Sequence, residues 1–140
     1  AAMRKQLPEW LAGRQLDAFL DLHCPGIRGN MNEHIYQVGS PFPEIWAQQR
    51  RFAQCLERVR SGPIPYQASF DLPFGQSWNV PANNSAGMTS GQYAASQLKA
   101  RLSGTIELPY ANSSGVEVTC ETARAFGRDV AKALRAYLEL

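Results

Sequence analysis

Leu16-Asp17-Ala18-Phe19-Leu20-Asp21-Leu22-His23, followed at once by Cys24-Pro25-Gly26, decides the fold class of this chain. A run of Leu, Ala and Phe of this length suits a strand buried on both faces, as in a parallel sheet. Side chains alternate along a strand, so Asp21 and His23 fall on one face at its C-terminal end. Cys24-Pro25-Gly26 then breaks the strand. In open α/β sheets ligands gather beyond the C-terminal ends of strands, so His23 presents an imidazole to a cleft.

Working outward, Pro8-Glu9-Trp10-Leu11 opens a short helical turn, with Pro in the first-turn position and Gly13 as its stop. Residues 26–43, rich in Gly, Asn and Pro, read as an irregular surface stretch. From Pro43 to Arg60 the period becomes helical, with Ile45, Trp46, Phe52, Ala53, Leu56 and Val59 on one face. Ser61-Gly62-Pro63 ends that helix, and residues 61–88 form a long loop of the kind that is usually functional or disordered. Thr89-Ser90-Gly91-Gln92 has capping-box spacing and opens a third helix, expected to run to about Leu102 and to close at Ser103-Gly104. Thr105 to Leu108 is a short strand stopped by Pro109. A last helix is expected from Cys120 to Leu138, with Thr119 as its N-cap and Phe126, Val130, Leu134, Tyr137 and Leu138 as its buried stripe. Strands separated by helices make an α/β layered fold with at least part of a parallel sheet.

A chain of 140 residues fits one domain with a real core, and 44% apolar with 19% charged residues is globular composition. The net charge of +2 is mixed along the chain, with no basic stripe, so nothing points to nucleic acid. No apolar stretch approaches the roughly 20 residues of a membrane helix. Cys24, Cys55 and Cys120 match neither a dense disulfide framework nor a CxxC metal site, and one disulfide among them stays open. Arg50, Arg51, Arg58 and Arg60 mark the polar face of a helix.

Two residues carry chemistry. His23, taken alone, reads first as a buried or surface histidine held by a backbone hydrogen bond. Glu107, in Gly104-Thr105-Ile106-Glu107-Leu108-Pro109, sits between apolar neighbours where burial is costly without a partner, or else faces water from an edge strand. A general base needs a carboxylate held firmly, and a strand end does that better than a loop. Glu33 and His34 lie close to His23 in sequence, but adjacent residues do not readily face one metal. A self-contained His23, Glu33, His34 site is therefore disfavoured, with Glu33 a candidate for the cleft wall.

Together, Phe19-Leu20-Asp21-Leu22-His23-Cys24-Pro25, a helix, a long loop, a helix, then Gly104-Thr105-Ile106-Glu107-Leu108-Pro109-Tyr110 and a terminal helix resemble the second half of the zinc carboxypeptidase family. The separation of 84 positions from His23 to Glu107, and the 33 residues that follow, resemble that family's layout. The resemblance implies part of an α/β/α layered fold with a mainly parallel or mixed sheet, residues 1–140 being a single domain that forms the C-terminal portion of the catalytic domain. It implies His23 as a zinc ligand, Glu107 as the general acid/base, Asp21 as an outer support of the histidine, and a peptide or C-terminal carboxylate as substrate. The chain departs from the pattern in having no His-x-x-Glu, the motif that supplies the first two zinc ligands. Those ligands, and the basic groups that hold a substrate carboxylate, are expected from a segment upstream. Cys24 and Pro25 stand where Ser and Tyr are common, and the loop tyrosine of many members has no clear counterpart. Tyr93 is expected on a helix in a core role, and Trp78 lies in the right loop without the chemistry of a proton donor. A carboxypeptidase-like fold used for binding, its catalytic half lost, is the other reading. An open strand edge in the truncated chain leads to an expectation of self-association.

Overall fold

In the computed structural model, residues 2–27, 31–84 and 87–140 are described. Helix α1 (Ala2–Leu11) is longer than the turn expected at Pro8, which lies inside it. A proline at this position cannot donate to the carbonyl four residues back. Here that carbonyl belongs to Arg4, and the Tyr93 hydroxyl donates to it at 3.2 Å. Ala12 and Gly13, with φ of 46° and 81°, end the helix.

Three strands form one sheet in the order β1-β3-β2: β1 (Ala18–His23), β2 (Tyr36–Val38) and β3 (Leu102–Glu107). Strands β1 and β3 are parallel, whereas β2 runs antiparallel to β3, so the sheet is mixed. Strand β1 is correctly located, but it is not buried on both faces: it lies at the sheet edge, with Leu22 49% exposed. Strand β2 falls inside the stretch expected to be irregular.

Helices α2 (Pro43–Val59) and α4 (Cys120–Leu138) pack together on one face. Their buried residues Phe52, Leu56, Phe126, Val130 and Tyr137 meet Leu102 and Ile106 of β3 in the main core. Each large side chain removed from water in this way contributes about 1.5–3 kcal/mol. Leu138 is exposed, and Ala133 takes the place expected for Leu134 in the buried stripe.

On the other face lies α3 (Ser90–Ser96). A smaller cluster of Ala94, Leu98 and Ala100 joins it to Leu7 and Leu11 of α1 and Phe19 of β1. Thr89 and Thr119 cap α3 and α4, each accepting a backbone N–H three residues on at 3.2 Å. Helix α3 stops well before Leu102, because Lys99 turns to positive φ and the chain enters β3. Ser103 and Gly104, expected to close the helix, are therefore mid-strand. At Gly104 a Cβ would lie 2.8 Å from the Gln49 Nε2, which would have to shift from its bond to the Val38 carbonyl.

The long loop after α2 is ordered by β2. Leu72 donates its N–H to the Gln37 carbonyl at 2.9 Å, Gly39 returns one to Leu72 at 2.8 Å, and the loop forms two short 3-10 turns, Ala68–Phe70 and Pro81–Asn84. A short hairpin of β4 (Asn112–Ser113) and β5 (Val116–Glu117) follows β3. Among the described residues no helix is long and apolar enough to cross a membrane.

Candidate functional site

His23 and Glu107 end two adjacent parallel strands and are register partners. Their side chains meet, with Nε2 of His23 3.2 Å from Oε1 of Glu107. Asp21, on the same strand face two residues earlier, lies with Oδ1 3.2 Å from the His23 Nδ1. Its other oxygen accepts the Ser90 hydroxyl from the start of α3. An aspartate on Nδ1 fixes the Nδ1–H tautomer and leaves the Nε2 electron pair free. Neutral Nε2 and a carboxylate oxygen are both acceptors, so the contact is an ion pair only when the imidazole carries its second proton.

The two carboxyls sit in different environments. Burial pushes Asp21 upward, but the Ser90 and His23 hydrogen bonds and the imidazole charge outweigh it and hold its carboxyl below the ordinary value. Glu107 is only 4% exposed, and burial raises its carboxyl; the charge and hydrogen bond of His23 offset part of that, while the charge of Asp21 adds to it. Its second oxygen, Oε2, is buried with no hydrogen-bond partner. An unpaired buried carboxylate oxygen is costly.

The pair stands at the junction of two cavities. The inner one, about 200 Å³, lies against the start of α3 and has a polar lining that includes Asp21, Ser40, Gln49, Ser90, Ser103 and Thr105. The outer one, about 490 Å³, is bounded by Cys24, Pro25, Met31, Tyr36 and Trp78. His23, Glu107 and Trp78 line both, and among the described residues neither wall includes a Lys or Arg.

Tyr36 escaped the sequence reading because β2 did. It pairs with Glu107 in the β2–β3 register, so His23, Glu107 and Tyr36 form one row across the three strands. Burial, and after it the Glu107 charge, raises its phenol above the ordinary value, and the side chain is buried at 1% exposure. The signal was present in Ile35-Tyr36-Gln37-Val38, a β-branched and aromatic run inside a polar stretch.

Other candidates lie elsewhere. His34 bonds through Nδ1 to the Ser114 hydroxyl at 2.9 Å and stacks on Phe70, with ring centroids 4.3 Å apart. Glu33, a candidate for the cleft wall, lines neither cavity; its carbonyl accepts the Ser114 N–H. Among the described residues no three His, Cys, Asp or Glu side chains form a metal-binding group. By themselves these residues do not make a zinc site: they offer a single oriented imidazole beside a carboxylate with an unpartnered oxygen. All three cysteines are free, Cys55 buried and Cys24 and Cys120 exposed. Comparison with protein-family models, curated proteins and solved structures finds no match for this chain.

Proposed function

We propose that this chain is the C-terminal portion of a zinc carboxypeptidase-type metallopeptidase that hydrolyses a peptide or related amide bond near a free carboxyl terminus. The observation that carries this reading is the meeting of His23 and Glu107. The two residues are 84 positions apart in sequence, yet Nε2 and Oε1 lie 3.2 Å apart at the ends of parallel strands, with the second Glu107 oxygen unpartnered. His23 would hold the metal through the nitrogen that Asp21 leaves free, together with ligands from an upstream segment. Bound zinc supplies Lewis acidity toward the scissile carbonyl.

The chain's own groups handle the proton. Glu107 takes it from the attacking water and passes it to the leaving amine nitrogen. A carboxyl raised by burial suits both halves of that task, since efficient general acids and bases titrate near the working pH. Asp21, held low and bonded to Nδ1, keeps the imidazole oriented. The cation that pairs with a substrate carboxylate is assigned to the same upstream segment as the remaining ligands.

In the full-length protein Glu107→Gln keeps shape and metal but removes the proton acceptor, and activity should fall at least about 100-fold, the low end for a general acid/base. His23→Ala should remove zinc and activity together. Full peptidase activity in Glu107→Gln would end the assignment. Zinc content unchanged in His23→Ala, with no hydrolysis by the wild type, would favour a carboxypeptidase-like binding module.

A further inference from the structure

The two cavities beside the His23–Glu107 pair differ in what they offer a ligand. In the register of the sheet Asp21, Thr105 and Val38 form a row of their own, two residues below the row of His23, Glu107 and Tyr36. Side chains alternate, so both rows face the α3 side, and the lower one lies in the wall of the inner cavity. Asp21 is open there, with 32% of its side chain exposed. Its Oδ1 lies against His23 and its Oδ2 takes the Ser90 hydroxyl. A carboxylate has about four lone-pair sites, so Asp21 can accept from a further donor.

The groups around Asp21 leave it as the feature a ligand would meet. Ser90 spends its only hydroxyl proton on Asp21, and Ser103 spends its own on the Gly91 carbonyl at 2.7 Å. Gln49 is tied at both ends, its Oε1 accepting the Ser40 N–H at 2.9 Å and its Nε2 donating to the Val38 carbonyl at 3.0 Å. Among the described residues no Lys or Arg lines this cavity, whereas Asp21 and Glu107 both do. Glu107 is 4% exposed with Oε2 unpartnered, and a cation in the cavity would offset its buried charge. The outer cavity offers the apolar and aromatic surface of Pro25, Met31 and Trp78 instead. We infer that the inner cavity selects a primary ammonium: the side chain of a C-terminal, lysine-like residue enters it and donates to Asp21. This assignment rests on the hydrolase reading above and names its substrate class. The single residue that follows the scissile bond takes the cavity of about 200 Å³, and the longer part of the peptide takes the one of about 490 Å³. Two residues of strand separate Asp21 from His23, about 6.6 Å, a span that suits the four-carbon stem of lysine.

N-acylated dipeptides ending in lysine or in norleucine differ only by the ammonium. On the full-length, zinc-loaded protein kcat/KM should favour lysine by at least about tenfold, the low end for a hydrogen bond to a charged group. Equal or better cleavage of the norleucine peptide overturns the assignment without any variant. Asp21→Asn should bring the two substrates level, whatever it does to both rates by loosening His23. A residue that only orients the imidazole predicts that both rates fall together, and a lysine preference that survives Asp21→Asn removes Asp21 from the pocket. A second arm needs no turnover. With serine and threonine labelled at the backbone nitrogen, n-butylammonium chloride should shift the Ser90 and Thr105 resonances, 1-butanol should not, and Asp21→Asn should abolish the effect. If the wild type cleaves none of the dipeptides, the peptidase reading fails and the cavity is judged by this arm. Shifts with n-butylammonium alone keep it as an ammonium site for another ligand, whereas no shift, or equal shifts with 1-butanol, overturn it.

Discussion

Asp71→Asn should cost this protein far less stability at pH 7 than at pH 4. Asp71 follows the first 3-10 turn of the long loop and fastens it under β2. Its carboxyl accepts the Gln37 backbone N–H at 2.8 Å, the Tyr66 hydroxyl at 2.8 and 2.9 Å to its two oxygens, and the Gln37 side-chain amide at 3.2 Å. Burial nevertheless dominates and pushes the carboxyl up to about 6 from an ordinary 3.8, with the donors lowering it and the Glu57 charge raising it. The native state therefore binds this proton more tightly than the unfolded chain does. The stability it contributes is fully present below about pH 4 and is lost as pH rises through about 6. At about 1.4 kcal/mol per pH unit the whole effect is about 3 kcal/mol, an upper figure because the group is only part-buried by area. Asparagine does not titrate, so the penalty of the substitution should shrink by about 2–3 kcal/mol between pH 4 and pH 7. Urea unfolding of both proteins at the two pH values measures this as a difference of differences. A penalty that is constant, or larger at pH 7, would mean that the loop depends on the charge and that the donors, not burial, govern Asp71.

The isolated 140-residue chain should bind zinc weakly, because one imidazole does not replace three ligands; tight one-to-one binding in equilibrium dialysis at neutral pH would show that the site is complete as it stands. The edge of β1, with Leu22 half exposed, should promote self-association of this chain, and Leu22→Lys should reduce it; light scattering from a compact wild-type monomer at high concentration would count against that.

The parts of the fold that the sequence made legible are those with a long period or a marked boundary. Helices α2 and α4 repeat their apolar residues over 17 and 19 positions, and Thr89 and Thr119 announce the starts of α3 and α4. Strand β2 is three residues long, too short for alternation to stand out among Gly, Asn and Pro. Ser103-Gly104 has the local chemistry of a helix stop, yet it lies near the start of β3. Tertiary context overrides that local preference, since Leu102 to Glu107 pair residue by residue with Ala18 to His23 of β1. The burial of β1 was overestimated for a related reason: an apolar run does not say whether a second neighbour exists to cover it. At the site, His23, Asp21 and Glu107 were legible because strand alternation and strand-end position are local. Tyr36 was not, since its place beside Glu107 depends on a pairing register that only the folded sheet specifies.

The row His23–Glu107–Tyr36 is spaced by strand pairing, so the distances within it do not depend on how long any loop is. Insertions or deletions in the segment that includes Trp78 can reshape the walls of both cavities, changing what fits, while the row itself keeps its place. The vulnerability lies in the ladder itself. A slip of β2 by one residue against β3 would set Gln37 opposite Glu107 and turn the phenol into the α2 side, losing the row without altering a single residue of it.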